Sequence, residues 1–396
     1  MRRRSFLCTP LLLPTLALAA ETRPPVAYAP VRRGVKLAFP RDHGAHPDFR
    51  TEWWYVTGAL DSPQAEIGFQ LTFFRSRPGN AEALRSPLAA RQILFAHAAL
   101  TLPGDRLLHS ERAARANLGA GFSTSDCDIH IGAWRMHREE LGTGQVLRLQ
   151  MQSPQFSYDF TLKPSQPLML QGDGGYSRKG HAPDLSSYYV SWPQLQVAGS
   201  LVLDGQRQAA SGRAWFDHEW STAILGDGAV GWDWVGINLD DGGALMAFRM
   251  RDAQGATLFA HAAWRDARGR VRQFTTDEVA FTPIRNWSSP RSRASYPVQI
   301  EIRLGELRVR TRPILDDQEL STSRPLPVVY WEGLVRLEGS LSGRGYLEMT
   351  GYADPLLALT ITQPYPEGTY AGSHKRRISR LHRNPEVLAK KVLTHL

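Results

Sequence analysis

Cysteine is nearly absent from this 396-residue chain: there are two, Cys8 and Cys127. Cys8 falls in a leader-like start, so loss of that segment leaves Cys127 as a lone buried thiol and excludes an intrachain disulfide. Stability must then come from core burial. Long apolar runs are few, and no helix-period stretch of any length competes before the C-terminus, which excludes helical layers as the organising core. Concentrated charge is missing from the body as well. Of the net +9, Arg2, Arg3 and Arg4 supply +3 and the tail from His374 to Leu396 supplies +6, so a nucleic-acid-binding core is excluded.

What is present is turn residues and alternation. With 34 Gly, 26 Pro and many short alternating runs, the chain reads as β-rich. Strands are predicted over Glu66–Phe74, Ile93–Leu100, Gln145–Met151, Gln155–Leu162, Gln194–Val202 and Gly212–Trp220. A second series runs over Trp232–Leu239, Ala244–Met250, Thr257–Trp264, Glu278–Pro283, Tyr296–Ile302, Leu307–Thr311, Trp331–Leu341 and Gly345–Tyr352. The two series are copies. Trp53 lies on Trp232, Phe69 on Phe248 without a gap, Phe95-Ala96-His97 on Phe259-Ala260-His261, and Trp215 on Tyr346. An all-β chain of two tandem units follows, 43–226 and 227–352, each a closed antiparallel barrel or a sandwich.

The ends read differently. Residues 1–20 form an export signal with a basic start, an apolar Phe6–Ala19 stretch and a cleavage box at Ala17-Leu18-Ala19, and Arg3-Arg4 fits a twin-arginine signal. A periplasmic or secreted location is therefore expected. Residues 21–42 are a Pro-rich lead-in, and 353–396 a basic extension whose Pro385–Leu393 portion reads as an amphipathic helix suited to a membrane surface. The glycine-rich Gly172–Pro183 reads either as a mobile flap over a barrel mouth or as a long connection.

Chemistry concentrates where the copies meet. On a strand, Trp215, Asp217 and Glu219 share one face while Phe216, His218 and Trp220 share the other. A carboxyl beside indole rings is desolvated and holds its proton, so Asp217, His218 and Glu219 are the candidate catalytic set; the alternative is an ion pair that fixes the junction. His46, Glu52, Trp53, Trp54 and Tyr55 form a matching group, with Glu52 and Trp54 on one face. Tryptophans around a buried acid suit an apolar ligand with one polar end, although one of the first-strand tryptophans is expected to pack as core. Candidate ligand-binding residues are these five with His97, Trp215, Trp220, Trp232 and Trp234. His46, His97, His218 and a carboxylate could in principle bind a metal, but no ligand pair has a recognised metal spacing, so no metal is assigned, and the lack of Gly-x-Ser-x-Gly argues against a serine hydrolase.

These motifs resemble a known family. Glu52-Trp53-Trp54-Tyr55-Val56-Thr57-Gly58, Trp215-Phe216-Asp217-His218-Glu219-Trp220, Trp232-Asp233-Trp234 and Tyr330-Trp331-Glu332-Gly333 are similar to those of the two-domain lipocalin-like proteins that include the secreted AttH-type proteins and the carotenoid 1,2-hydratases. The Asp-His-Glu-Trp wording is nearer the AttH branch, whose members are often described as secreted hydrolases. The resemblance implies paired calycin barrels, no cofactor, a lipid or isoprenoid-like ligand and service to a lipid-directed ABC-type permease. For the hydratase branch it implies acid-catalysed addition of water to a double bond, with Asp217 at the acid position.

Overall fold

The computed structural model describes residues 26–356 apart from 62–65, 80, 87–88, 105, 143, 227 and 324–326. The expected export signal lies outside the described residues, as does nearly all of the basic extension. Antiparallel pairing accounts for every ladder.

The first sheet holds β1 Thr51–Leu60, β2 Ile67–Ser76, β3 Ile93–Leu102, β4 Arg106–Arg115, β5 Ala120–Phe122, β6 Asp128–Ile131, β7 Trp134–Leu141, β8 Gly144–Gln152, β9 Phe156–Pro164, β10 Met169–Leu170, β11 Tyr176–Arg178, β12 Ser186–Leu203 and β13 Gln206–Ala223. Its order is β4-β3-β2-β1-β13-β12-β9-β8-β7-β6-β5, with β10 and β11 paired to the start of β12. Because β6 comes back against β3 and β4, this sheet is a nearly closed barrel.

The second sheet holds β14 Gly231–Leu239, β15 Ala244–Arg251, β16 Thr257–Arg265, β17 Val271–Phe274, β18 Val279–Ser288, β19 Ser295–Leu304, β20 Leu307–Pro313, β21 Glu319–Thr322, β22 Val328–Gly339 and β23 Gly343–Met349. Its order, β17-β16-β15-β14-β23-β22-β20-β19-β18, repeats the central plan of the first and curls into a half-barrel.

Registers fix how the copies correspond. Trp53 faces Phe74 across β1 and β2, whereas Trp232 faces Met250 across β14 and β15, so the second hairpin is three residues shorter. The ungapped match of Phe69 to Phe248 is therefore corrected: Phe69 points into the first barrel, and the counterpart of Phe248 is Thr72. His97 and His261 remain equivalent, opposite Thr72 and Phe248. Asp217 opposes Tyr55, and Glu348 opposes Trp234. Since Tyr55 and Trp234 each stand two residues after the paired tryptophans, Asp217 and Glu348 are counterparts.

Alternation along each strand sorts side chains between three cores. Trp54, Phe69, Phe73, Trp134, Trp192 and Phe216 fill the first barrel, and Phe274, Tyr296, Ile302, Trp331 and Met349 fill the second. A third cluster, Tyr55, Tyr189, Trp215, Trp234, Met246, Phe248 and Tyr346, lies between the barrels, where the outer faces of β12-β13-β1 and β22-β23-β14-β15 meet. The lead-in is part of the fold rather than a linker. Val31, Leu37, Phe39 and Phe49 pack on Tyr188, Val190 and Trp220, strapping the open end of the first barrel.

Candidate functional site

On β13, period-two alternation divides the predicted catalytic set. Asp217 and Glu219 point into the seam between the barrels, while His218 points into the first barrel. The three do not form one constellation. Trp54 likewise turns away from Trp53, Trp215 and Trp234 and packs as core, its indole N–H donating to the His43 carbonyl at 3.1 Å.

In the seam, Asp217 is 3% exposed. Its carboxyl accepts hydrogen bonds from the Tyr189 hydroxyl at 2.8 Å, the Ser191 hydroxyl at 2.5 Å and the Trp215 indole at 2.8 Å. Trp234 donates to the Tyr189 hydroxyl at 2.9 Å, tying the second barrel to the same network. Burial lifts Asp217 to about 7 against the opposing pull of those donors, and nearby Glu219 adds to the rise. Glu219 differs from it, pairing with the Lys179 ammonium at 2.7 Å and accepting from Ser187. Lys179 is 7% exposed and lies 4.2 Å over the Phe248 ring and 4.7 Å over that of Tyr189.

The second barrel contributes two more acids. Glu332 and Glu348 face each other across β22 and β23, the first buried and the second half-buried, and burial together with Glu348 holds the Glu332 carboxyl well above its usual range. Burial, with Asp217 and Glu219 adding to it, moves Glu348 to about 8, although the Trp232 indole favours its ionised form. Neither the Tyr55 hydroxyl nor Glu332 Oε1 makes a well-formed hydrogen bond among the described residues. The tryptophans thus report their roles by where their N–H goes. Those of Trp54, Trp134, Trp192 and Trp331 end on main-chain carbonyls, while those of Trp215 and Trp234 end on the Asp217–Tyr189 network. Half-buried Trp53, Trp232, Phe259 and Ile224 form the rim. His97 reaches the seam from the side and bonds the Tyr330 hydroxyl at 2.9 Å.

A second polar cluster occupies the strapped end of the first barrel. Glu52 accepts from Arg75 Nε at 2.7 Å on one oxygen, and its other oxygen lies 2.8 Å from His46 Nδ1 and 2.9 Å from His218 Nε2. Burial works to raise Glu52, but Arg75 and the two histidines outweigh it and hold the carboxyl below its usual range. Trp220 stacks on His46 with centroids 3.8 Å apart. At the corresponding end of the second barrel, Asp233 is met by Arg249 at 2.6 Å, by Arg251 at 3.4 Å and by the Tyr352 hydroxyl at 3.0 Å.

Sequence reasoning missed Lys179, Ser187, Tyr189, Ser191 and Arg75. The Gly172–Pro183 segment is anchored through β11 to the start of β12, not a flap, and it delivers Lys179 into the seam. Ser187, Tyr189 and Ser191 alternate onto one face, a signal that extending the strand back to Ser186 would have exposed. Pro193 hid it by resembling a strand breaker. It sits instead in a bulge between Trp192 and Leu195, where Gln194 takes a φ of +60°.

A family model described as AttH-like matches residues 30–352. The crystal structure of a protein assigned to AttH from Nitrosomonas europaea superposes with a TM-score of 0.76 at 45% identity, covering 82% of this chain and 99% of that one. Kievitone hydratase from Nectria haematococca shares the fold, with a TM-score of 0.60 at 16% identity over 83% of this chain and 98% of that one. By sequence, kievitone hydratase from Fusarium solani subsp. phaseoli is 23% identical over 195 residues, which span 48% of this chain and 53% of that protein.

Proposed function

The chain belongs to the AttH-like family, and on that premise we propose that it is a cofactor-independent acid catalyst of the hydratase type, acting on an apolar, isoprenoid-like alkene held in the seam between its barrels. One observation carries this reading. Four carboxyls, buried Asp217, Glu219 and Glu332 with half-buried Glu348, meet in the seam, and among the described residues only Glu219 of the four has a salt bridge, to Lys179. Such a site keeps most of its carboxyls as proton-bearing acids, an arrangement a plain binding cavity does not need.

Asp217 is the acid. Its proton passes to one alkene carbon, the cation forms on the other, water adds there, and the water's surplus proton returns to the carboxyl. Substrate and water together make the alcohol, and Asp217 ends as it began. The hydrogen bonds from Tyr189, Ser191 and Trp215 are already aimed at the oxygens that become negative, and the faces of Trp215 and Trp234 shelter the cation. The name hydratase carried by the Fusarium solani relative, matched over about half of its length, supports this reading.

The half-buried aromatic rim of Trp53, Trp232 and Phe259 favours a second reading, an exported carrier that presents a lipid to a permease without altering it. Incubating an isoprenoid alkene panel with the protein in ¹⁸O-water separates the two. Hydratase action gives an alcohol carrying one ¹⁸O with wild type and loses it by about 100-fold or more in Asp217→Asn. Unchanged alkene recovered bound to both proteins would overturn catalysis and leave the carrier.

A further inference from the structure

We propose that His46, Glu52 and His218 form a binding site for one divalent transition-metal ion of the zinc class, at the strapped end of the first barrel. The site lies on the opposite face of β13 from the seam and does not depend on the reading given there. The nearer nitrogen of each ring and one oxygen of Glu52 converge, with all three atoms within 4.8 Å of one another. His46 Nδ1 and His218 Nε2 are 2.8 and 2.9 Å from the same oxygen, Glu52 Oε1.

The far nitrogens make the case. His46 Nε2 faces Asp42 Oδ1 at 3.4 Å, and His218 Nδ1 faces the Asp42 carbonyl at 3.1 Å. A neutral imidazole has one N–H. When each ring donates it to Asp42, each presents a lone pair to the carboxylate oxygen, which also accepts the His46 main-chain N–H at 3.1 Å. This is the second shell of a metal-bound histidine, in which the remote N–H is fixed by a carboxylate or carbonyl and the near nitrogen is left free to ligate. Both rings are also held in plane, His46 on Trp220 at 3.8 Å and 5°, His218 on Trp54 at 4.7 Å and 17°.

Glu52 is anchored too. Its other oxygen is held by Arg75, whose remaining N–H groups go to the Phe49 and His46 carbonyls and to Gln92. Arg75 opposes a metal electrostatically and lowers the affinity, but it also shows that charge balance does not require histidines. In the second barrel the buried Asp233 is satisfied by arginines and a tyrosine, with no histidine against it. Two imidazoles and a carboxylate select zinc, cobalt or a similar ion over magnesium or calcium, and three protein ligands leave a fourth position. His46, with 17% of its side chain exposed, marks the way in.

The test is titration of the full chain with Co²⁺ and then Zn²⁺. One equivalent of Co²⁺ is expected, with visible d–d bands that one equivalent of Zn²⁺ erases, and with a higher melting temperature in zinc than in chelator. Affinity should fall by about 10- to 100-fold in Asp42→Asn and by more in His46→Ala, while His97→Ala binds as wild type. Imidazole ¹⁵N spectra of wild type need no variant to fold: zinc should shift one Nδ1 and one Nε2. No retained metal, metal binding indifferent to His46, or N–H protons persisting on His46 Nδ1 and His218 Nε2 at saturating zinc would each overturn the site.

Discussion

Lys179 is the ammonium that balances Glu219 in the seam, and it does so buried between the faces of Tyr189 and Phe248. Removing one member of a buried pair strands the other, so Lys179→Met should lower stability by about 3–5 kcal/mol, measured by urea unfolding. Adding Glu219→Gln should restore more than half of that loss; a double variant no better than the single would show that the pair does not carry the effect. Glu348 makes a second, pH-dependent prediction. Folding raises its carboxyl from 4.5 to about 8, so the folded chain holds that proton more tightly than the unfolded one. No stability is lost to it below about pH 4.5. The loss grows as pH climbs from there to about 8, and it reaches a few kcal/mol. In Glu348→Gln the melting temperature should therefore gain on wild type between about pH 5 and pH 9, and a constant difference would remove the explanation. Legibility was uneven among these residues. Asp217 beside Trp215 announced a desolvated acid, whereas Lys179 stood in a stretch of glycines that gives no period to place it.

The strand β13 shows what a single element can expose in its sequence and what it cannot. Alternation alone separates Trp215, Asp217 and Glu219 from Phe216, His218 and Trp220, and the registers agree with that division. Which face meets solvent, core or a second barrel is not written locally, because the partner surface is assembled from several strands, from that of Trp234 to that of Tyr346. β4 went unread for a different reason. Its Arg, His and Glu side chains are those of a guarded sheet edge, which looks like a loop to any reading based on apolar alternation. On β14 the telling residue is a glycine. A Cβ at Gly236 would overlap the Trp234 ring and sit 3.1 Å from that of Trp215, so only a bare backbone lets both indoles close over the seam. Gly236→Val should displace both rings, reduce stability by about 1–3 kcal/mol and redshift tryptophan emission. Emission identical to wild type would mean that the rings are not packed against this strand.

Across the molecule, duplication has set Asp217 and Glu348 at equivalent places and then distinguished them by one neighbour each. Ser191 stands beside Asp217 and supplies a donor; at its counterpart position Glu332 stands beside Glu348 and supplies another acid. The tandem plan was legible because the matches at Trp53, His97 and Trp215, which the registers keep, recur in one order. The face-to-face packing of the two copies was not. Half-exposed rim links such as Glu66 with Arg336 and Arg344, each at 3.0 Å, are expected to add little, and Glu66→Ala should change stability by less than about 1 kcal/mol. A loss several times larger would mean that these rim charges, rather than the apolar seam, join the barrels. The strap has a consequence in time. Thr222 donates to the Ala29 carbonyl at 2.7 Å, Arg32 exchanges hydrogen bonds with Tyr188, and β1 pairs with β13 from Thr51 to Leu60. During synthesis the earliest of these segments emerges long before its partners exist, so it must wait through most of the first barrel before it can dock. A ribosome stalled near residue 180 should therefore display Phe39 and Phe49 to protease, and one stalled well past residue 223 should conceal them.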